Sequence, residues 1–175
     1  MMIASTRVDF VSPPTTESVR YTEVESPIGT LTLVGDGVVL THLSMESHDA
    51  TKPTIADDWV CDPDSFVEAR RQLSEYFAGE RREFTIPLAP SGTPFRMKVW
   101  HTLARIPYGE TATYGEVAAE IGNPAASRAV GMANHYNPIA IIIACHRVIG
   151  STGSLTGYGG GLDRKRTLLA LEQGS

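Results

Sequence analysis

Two prolines, Pro87 and Pro90, interrupt residues 81–92 and separate this chain of 175 residues into halves with different hydrophobic patterns. We interpret the interrupted segment as a linker, because proline and the glycine that closes it disfavour regular structure. Before the linker, the residues alternate as in β-strands, and after it apolar residues recur at helical spacing. A chain of this length can bury one or two modest cores. We predict an α/β domain over residues 19–92, with the linker at its end, and a mainly α domain over residues 93–175.

Three short runs rich in β-branched residues lie in the N-terminal half, at residues 19–26, 30–34 and 38–43. Glycine and proline turns separate them, so they predict antiparallel strands. Polar residues 44–54 then predict a loop. Residues 1–18 show no apolar periodicity and are expected to form a disordered arm.

One helix is predicted in the same half. It begins at Asp62, a capping residue followed by Pro63 at the first helical position, and ends at Gly79. Nothing in this half resembles a chemical site. The expected apolar face of the helix consists of Phe66, Val67, Ala69, Leu73 and Phe77.

The C-terminal half is predicted to be helical. A helix over residues 93–106 precedes one over 113–121, which opens with a capping box formed by Thr113 and Glu116. A further helix is predicted over residues 123–134. Two short helices joined by a glycine-containing turn have the outline of a helix-turn-helix. An apolar run (139–144), a loop with six glycines (150–161) and a last helix (163–172) complete the chain.

The net charge of −5 is divided unequally between the halves. Residues 1–92 hold 7 Lys and Arg against 15 Asp and Glu, a balance of −8, whereas residues 93–175 hold 8 against 5, a balance of +3. A polyanion could therefore dock only on the C-terminal half. Two cysteines cannot form a disulfide framework, and neither a signal peptide nor an apolar run of about 18 residues is visible. We expect a cytoplasmic protein without membrane contact.

The helix that follows Pro124 is built from small residues and carries one long basic side chain, Arg128. Such a helix fits two interpretations. It can pack tightly against a neighbour, or it can be slim enough for the minor groove of DNA, which is only about 6 Å wide. In the second case Arg128 could fill the space left by an extruded base. The small residues are Ala125, Ala126, Ala129, Gly131 and Ala133.

Cys145 follows three isoleucines, and local sequence alone favours an inert buried thiol. The neighbouring His146 changes this little, because adjacent residues on an extended chain point to opposite sides. The wider segment is more informative. Residues 95–172 resemble the catalytic domain of the O6-alkylguanine-DNA alkyltransferase family along their whole length. The matching stretches are IPYGETATYGEVA (106–118), GNPAASRAVGMANHYNP (122–138), CHRVIGSTGSLTGYGGG (145–161) and the helix ending in Leu171-Glu172.

The resemblance also implies a fold. The N-terminal half is similar to the family's variable ribonuclease-H-like domain, mainly through residues 26–29 and the helix near Tyr76 and Phe77. The C-terminal half is expected to be a mainly α domain with a helix-turn-helix of the winged-helix type. The implied function is direct reversal of DNA damage, by irreversible and stoichiometric transfer of an alkyl group from O6-alkylguanine to the protein. O4-alkylthymine is left open as a second substrate.

Chemical roles follow from the resemblance position by position. Cys145 is similar to the acceptor nucleophile, His146 to its base acting through a bound water, and Glu172 to the residue that orients the imidazole. Asn137 resembles the residue that braces the turn around this network. Tyr114 resembles the residue that turns the target nucleotide out and donates a hydrogen bond to the departing guanine.

Contacts with double-stranded DNA through the minor groove are implied in the same way. Arg128 resembles the finger that replaces the extruded base. The carbonyls of Cys145 and Val148 would bind the guanine amine, and Tyr158 with the Gly159 amide would line the base pocket. No cofactor is implied, and we expect a monomer, with cooperative binding along DNA left open. Further DNA-contacting positions are Gly115, Asn123, Ala126, Ala129, Gly131 and Ser151.

Three positions depart from the family pattern. The family signature is Pro-Cys-His-Arg-Val, but Ala144 stands in place of its proline, and Ala140 stands where many members have another. Proline stiffens the backbone, so its loss bears on rate and stability rather than on the type of reaction. Gly159 replaces a serine found in some relatives, which removes a hydroxyl and keeps the amide.

Two alternatives from other classes remain open. A lesion-binding protein of similar fold would flag alkylated DNA without repairing it, but such proteins lack the reactive cysteine. A Cys-His hydrolase with many turnovers would need an oxyanion hole and a direct contact between thiol and imidazole, and the sequence indicates neither. No zinc site is predicted, because Cys61, His42 and His48 have no partners at metal-binding spacing.

Overall fold

The computed structural model of this chain describes residues 8–15, 18–46 and 50–174. In the N-terminal half, strands β1 (Arg20–Val24), β2 (Leu31–Gly35) and β3 (Leu40–Met45) form the predicted antiparallel sheet. A fourth strand, β4 (Val60–Cys61), pairs in parallel with β1 and was not predicted. Two exposed residues are too few to show a hydrophobic period, so only the folded chain reveals this strand. His48 lies outside the described residues.

Helix α1 (Val67–Phe77) follows a 3-10 turn over Pro63–Phe66, and the Asp62 side chain caps that turn as predicted. The expected apolar face is wrong at Val67, which is 58% exposed. A 3-10 turn has three residues per turn rather than 3.6, so it shifts the phase of the helix that follows it. The residues buried from this segment are Phe66, Ala69, Gln72, Leu73 and Tyr76.

Residues 81–92 are packed against the sheet and do not form a free linker. The Leu40 amide donates to the Pro87 carbonyl at 3.0 Å, and the Ala89 amide donates to the Leu40 carbonyl at 2.8 Å. Phe84, Ile86 and Leu88 are buried. Their two-residue spacing is the signal of a half-buried extended segment, which the prolines obscured.

Part of the predicted disordered arm is also ordered. Residues 1–7, 16 and 17 lie outside the described part of the chain, but Asp9 to Val11 pair with the extended segment. The Leu88 amide donates to Asp9 at 2.9 Å, and the Val11 amide donates to Leu88 at 2.8 Å. The Phe10 ring packs on His101, with 3.9 Å between ring centroids. The prediction of disorder is therefore wrong for this stretch, because its backbone finds partners that are distant in sequence.

The C-terminal half contains the predicted helices. Helix α2 is Pro94–Leu103 and α3 is Tyr114–Glu120, whose capping box between Thr113 and Glu116 is present. Helix α4 (Ser127–His135) begins later than predicted, because residues 123–126 form a turn in which the Ala126 amide donates to the Asn123 carbonyl. Two short strands, β5 (Ala112–Thr113) and β6 (Val148–Ile149), pair in parallel, and α5 is Leu162–Gln173.

The two halves share a buried core. Leu43 of β3 donates its amide to the Pro138 carbonyl and accepts from the Ala140 amide, both at 2.9 Å. These bonds tie the edge of the sheet to the turn that precedes Cys145. Within the described part of the chain, no helix is long and apolar enough to cross a membrane.

Candidate active site

Cys145 begins a 3-10 turn, Cys145–Arg147, between a tight apolar turn and β6. Asn137 holds the apolar turn from inside: its Nδ2 donates to the Ile143 carbonyl at 2.8 Å, and its Oδ1 accepts from the Ile139 amide at 3.0 Å. Within that turn Ile141 has φ 71°, an unfavourable value for a β-branched residue. The structure thus places Asn137 where the sequence predicts a bracing residue.

His146 and Glu172 form a buried pair, with 2.7 Å between His146 Nε2 and Glu172 Oε1. Glu172 lies at the end of α5, and Arg147 binds the same carboxylate through Nε and Nη2, each at 2.8 Å. Burial alone would raise the pKa of Glu172, but the hydrogen bonds and charges of His146 and Arg147 outweigh it and hold the pKa well below its usual range. The carboxylate is therefore ionised.

The imidazole of His146 is arranged to accept a proton at its other nitrogen. Since Nε2 faces an ionised carboxylate, it carries the hydrogen, and Nδ1 keeps its lone pair. Nδ1 is buried and makes no hydrogen bond with any residue that the structure describes. Burial lowers the pKa of His146 despite the opposing effect of Glu172, so the resting imidazole is neutral.

The thiol of Cys145 is also neutral at rest. It is 5% exposed, and burial raises its pKa, while Asn137, Lys165 and the Tyr158 hydroxyl act in the opposite direction. Lys165 is fully buried on α5, and its ammonium donates to the Val148 carbonyl at 2.5 Å and to the Thr156 carbonyl at 3.3 Å. A buried cation thus lies close enough to the sulfur to favour thiolate when the proton leaves.

Tyr114, at the start of α3, is half-buried and donates its hydroxyl hydrogen to the Thr156 carbonyl at 3.0 Å. This bond joins the helix-turn-helix to the glycine-rich loop that carries Tyr158 and Gly159, both half-buried. At the next glycine, Gly160, an added Cβ would lie 2.3 Å from Met45 Sδ, so a side chain there would require the buried Met45 side chain to shift. The loop is therefore held between the two halves of the chain.

The two carbonyls expected to bind the guanine amine already accept hydrogen bonds. Asn134 Nδ2 donates to the Cys145 carbonyl at 3.2 Å, and Lys165 Nζ donates to that of Val148. The Cys145 carbonyl also accepts from the Val148 amide, so a ligand amine at this oxygen would have to displace one of its two donors.

The residues predicted to contact DNA lie mainly at the surface of the helix-turn-helix. Arg128 is the second residue of α4; its side chain is exposed, and within the described chain it forms no hydrogen bond or ion pair. An added Cβ at Gly131 would lie 3.9 Å from the Tyr114 ring, so α4 passes close to α3. Gly115, Asn123, Ala129 and Ser151 are exposed, and Ala126 and Gly131 are half-buried.

Sequence reasoning missed four residues of this site: Tyr76, Asn134, Arg147 and Lys165. Arg147 and Lys165 are buried charges, which a hydrophobic pattern assigns to the surface. Tyr76 comes from α1 of the N-terminal half, where no chemical site was expected, and its hydroxyl donates to Glu172 Oε1 at 2.7 Å. Only tertiary structure brings these groups together.

Both halves of the chain match known family models. The family model "6-O-methylguanine DNA methyltransferase, DNA binding domain" matches residues 94–174, and "6-O-methylguanine DNA methyltransferase, ribonuclease-like domain" matches residues 19–90. The predicted fold class, an α/β ribonuclease-like domain followed by a helical DNA-binding domain, is thereby confirmed.

Relatives match over nearly the whole chain. The "methylated-DNA--protein-cysteine methyltransferase" of Mycolicibacterium paratuberculosis is 56% identical over 155 residues, 89% of this chain and 93% of the relative. The protein of the same name from Methanosarcina acetivorans is 55% identical over 152 residues, 87% of this chain and 97% of the relative. The crystal structure of Mycobacterium tuberculosis OGT in complex with DNA superposes with a TM-score of 0.84 at 54% identity, covering 89% of this chain and 93% of that one. This chain belongs to the O6-methylguanine-DNA methyltransferase family.

Proposed function

We propose that this protein repairs DNA by transferring the alkyl group of O6-alkylguanine to Cys145, in a single irreversible turnover. The observation that carries the proposal is the buried series Cys145, His146 and Glu172, in a chain whose relatives are named methylated-DNA--protein-cysteine methyltransferases. Displacement at an alkyl carbon needs a soft, strong nucleophile, and thiolate is the strongest that a protein side chain offers.

The reaction begins with loss of the thiol proton. Nδ1 of His146 takes that proton through a bridging water while Glu172 holds the imidazole in the required tautomer. The sulfur then forms a bond to the alkyl carbon as the bond from that carbon to O6 breaks, and the electron pair remains on guanine. Tyr114 donates a hydrogen bond to the departing base, which gains a proton overall and becomes ordinary guanine.

The product explains the stoichiometry. Alkylated Cys145 is a thioether, and a thioether has no easy route of hydrolysis in neutral water. One molecule of protein therefore repairs one lesion. The raised pKa keeps the resting thiol of Cys145 protonated. A protonated thiol reacts little with other electrophiles, so the single reaction is reserved for a bound substrate.

Docking on DNA is assigned to the C-terminal half, which carries the positive charge balance. We propose that α4 enters the minor groove, that Arg128 occupies the space of the extruded nucleotide, and that the glycine-rich loop with Tyr158 and Gly159 encloses the base. The exposed side chain of Arg128 supports this role, because it is free to move into a duplex. We further propose that the protein acts as a monomer in the cytoplasm, where its free thiols stay reduced.

The deciding experiment incubates the protein with duplex DNA containing O6-methylguanine and weighs the intact chain. We expect a gain of one methylene unit, mapped to Cys145 by peptide analysis, with guanine restored in the DNA and repair ending at one equivalent. Cys145→Ala serves as the matched control, which should still bind the alkylated duplex but gain no mass. Tight binding by the unaltered protein without a mass gain would instead indicate a lesion-binding protein, and repair beyond one equivalent would indicate a hydrolase.

A further inference from the structure

Tyr76 links the N-terminal domain to the residues proposed to activate the nucleophile. It lies on α1, is fully buried, and donates to Glu172 Oε1 at 2.7 Å. The same oxygen accepts from His146 Nε2 at 2.7 Å and from Arg147 Nη2 at 2.8 Å. The reaction described above uses the histidine and the carboxylate but assigns nothing to this hydroxyl.

We propose that Tyr76 is a positioning residue for alkyl transfer, whose hydroxyl fixes the Glu172 carboxylate and limits how strongly that carboxylate holds a proton on His146. This inference rests on the proposed function, since it concerns the base that activates Cys145. It gives the N-terminal domain a part in the chemistry: the domain supplies one of the hydrogen bonds that set the basicity of the imidazole.

The hydroxyl can only donate in this position. Glu172 is ionised, so its oxygen has no hydrogen to give. Burial and the neighbouring carboxylate raise the pKa of Tyr76 far above its usual value, so the phenol keeps its hydrogen at every working pH. Tyr76 is therefore a permanent hydrogen-bond donor and cannot itself relay the thiol proton.

Competition among the three donors determines the effect on His146. Each hydrogen bond to Oε1 reduces the negative charge that the oxygen offers to the others. Without the Tyr76 hydroxyl, the carboxylate would attract the imidazolium form of His146 more strongly and raise the pKa of the histidine. A larger fraction of His146 would then be protonated in mildly acidic solution, and a protonated imidazole cannot accept the proton of Cys145.

Replacing Tyr76 by phenylalanine removes one hydroxyl and leaves the other groups around His146 and Glu172 in place. The Tyr76 ring packs against Phe77, Phe84 and Tyr108, with centroid distances of 5.2, 5.4 and 6.1 Å, and phenylalanine keeps these contacts. Oε1 retains two donors, so the buried carboxylate stays satisfied. The titratable and charged groups that face His146 and Glu172 from the packed elements are Cys145, Arg147, Tyr158, Lys165, Tyr76 and Tyr108.

Tyr108 provides a matched control. Its hydroxyl also bonds to α5, donating to the Leu171 carbonyl at 3.4 Å, and its ring touches that of Tyr76. No hydrogen bond joins Tyr108 to the Glu172 carboxylate in the described structure. Tyr108→Phe therefore removes a partly buried hydroxyl next to the site and leaves all three donors to Oε1 in place.

The test measures the rate of transfer to Cys145 against pH for the full-length protein, Tyr76→Phe and Tyr108→Phe, with free O6-methylguanine base and with alkylated duplex. For Tyr76→Phe we expect the acid limb of the profile to move up by about 0.5 to 1 pH unit, which lowers the rate on that limb about three- to tenfold. Both substrates should show the same shift, because DNA docking is untouched. Tyr108→Phe should follow the unaltered protein.

Melting temperatures of both variants separate positioning from packing, because a purely structural hydroxyl would lower stability without moving the acid limb. Coincident profiles for Tyr76→Phe and the unaltered protein, or an equal shift in Tyr108→Phe, would overturn the inference. Two further variants, Glu172→Gln and His146→Gln, distinguish failure of the inference about Tyr76 from failure of the proposed function. If these two variants slow transfer while Tyr76→Phe does not, only the role of Tyr76 is wrong; if they too transfer at the full rate, the activation scheme itself is wrong.

Discussion

Cys145 and His146 are both neutral at rest, and burial is the main cause in each case: it raises the pKa of the thiol and lowers that of the imidazole. A buried thiolate–imidazolium pair would require two charges in a site of low polarity. The ionised Glu172 beside the imidazole reduces that cost at the moment when the proton moves. The arrangement favours a nucleophile that is activated only when the substrate is in place.

Arg128 allows docking to be tested separately from chemistry. We expect Arg128→Ala to slow repair of duplex DNA at least about tenfold more than transfer from the free modified base, because extrusion of a nucleotide costs a few kcal/mol and the arginine offsets part of it. The measurement is the ratio of the two transfer rates.

Arg166→Ala is the control for the loss of a positive charge in the same domain, since Arg166 is exposed on α5 and pairs with Asp163. Its ratio of duplex to free-base rates should stay near that of the unaltered protein. Equal losses with both substrates in Arg128→Ala would contradict the finger role.

At the scale of elements, the turn before Cys145 shows where proline can be introduced. Ala144 has φ −78°, within the range that proline adopts, and no hydrogen bond from its amide is found in the described structure. The Ala140 amide, in contrast, donates to the Leu43 carbonyl at 2.9 Å. The two alanines that replace family prolines are therefore not equivalent.

We expect Ala144→Pro to raise the free energy of unfolding by about 0.4–1 kcal/mol, because it restricts the unfolded chain without loss of a native bond. Ala140→Pro removes a buried hydrogen bond that is worth about 0.5–1.5 kcal/mol, so it should be less stable than Ala144→Pro. Denaturant melts of both variants measure the difference. A lower stability for Ala144→Pro than for Ala140→Pro would mean that the backbone around residue 144 has requirements of its own.

Elements with a local signal were predictable from sequence. The capping box of Thr113 and Glu116 and the cap at Asp62 depend on neighbouring residues, and both are present. Strands β4, β5 and β6 have two residues each and pair with segments that are distant in sequence, so no hydrophobic period predicts them. The same distinction holds for the site. The resemblance of residues 95–172 predicted Cys145, His146 and Glu172 as site residues, whereas Tyr76 reaches Glu172 through a contact across 96 positions of sequence.

The two halves of the molecule pack together, although they carry opposite charge balances. The acidic and basic halves share one buried core, in which Leu43 and Tyr76 of the first half join Ile139 and Leu168 of the second. The turn before Cys145 exchanges hydrogen bonds with β3, and the Glu172 carboxylate accepts one from Tyr76 of α1. The DNA-binding half therefore depends on the N-terminal half for the geometry of its site, although the two carry opposite charge balances.

Two buried titratable groups, His146 and Glu172, make the stability of the whole protein sensitive to acid. Burial lowers the pKa of His146 below the ordinary histidine value of about 6.5, so the unfolded chain binds a proton that the folded one refuses. Stability should fall as the pH drops below about 6.5. The lowered pKa of Glu172 adds a second loss: its stabilisation is complete above the ordinary glutamate value of about 4.3 and disappears as the pH falls towards the folded pKa.

Melting temperatures measured between about pH 8 and pH 3 should therefore decline in two stages. His146→Gln should reduce the first stage, to which His42 and His101 also contribute because burial lowers their pKa values, and Glu172→Gln should reduce the second. Glu68→Gln is the surface control: hydrogen bonds from Arg71 and Gln72 lower the pKa of Glu68 to about 2, but its side chain is 53% exposed, so solvent screens the effect. If Glu68→Gln flattens the acid stage as much as Glu172→Gln does, acid sensitivity arises from surface charge, and the buried carboxylate does not control it.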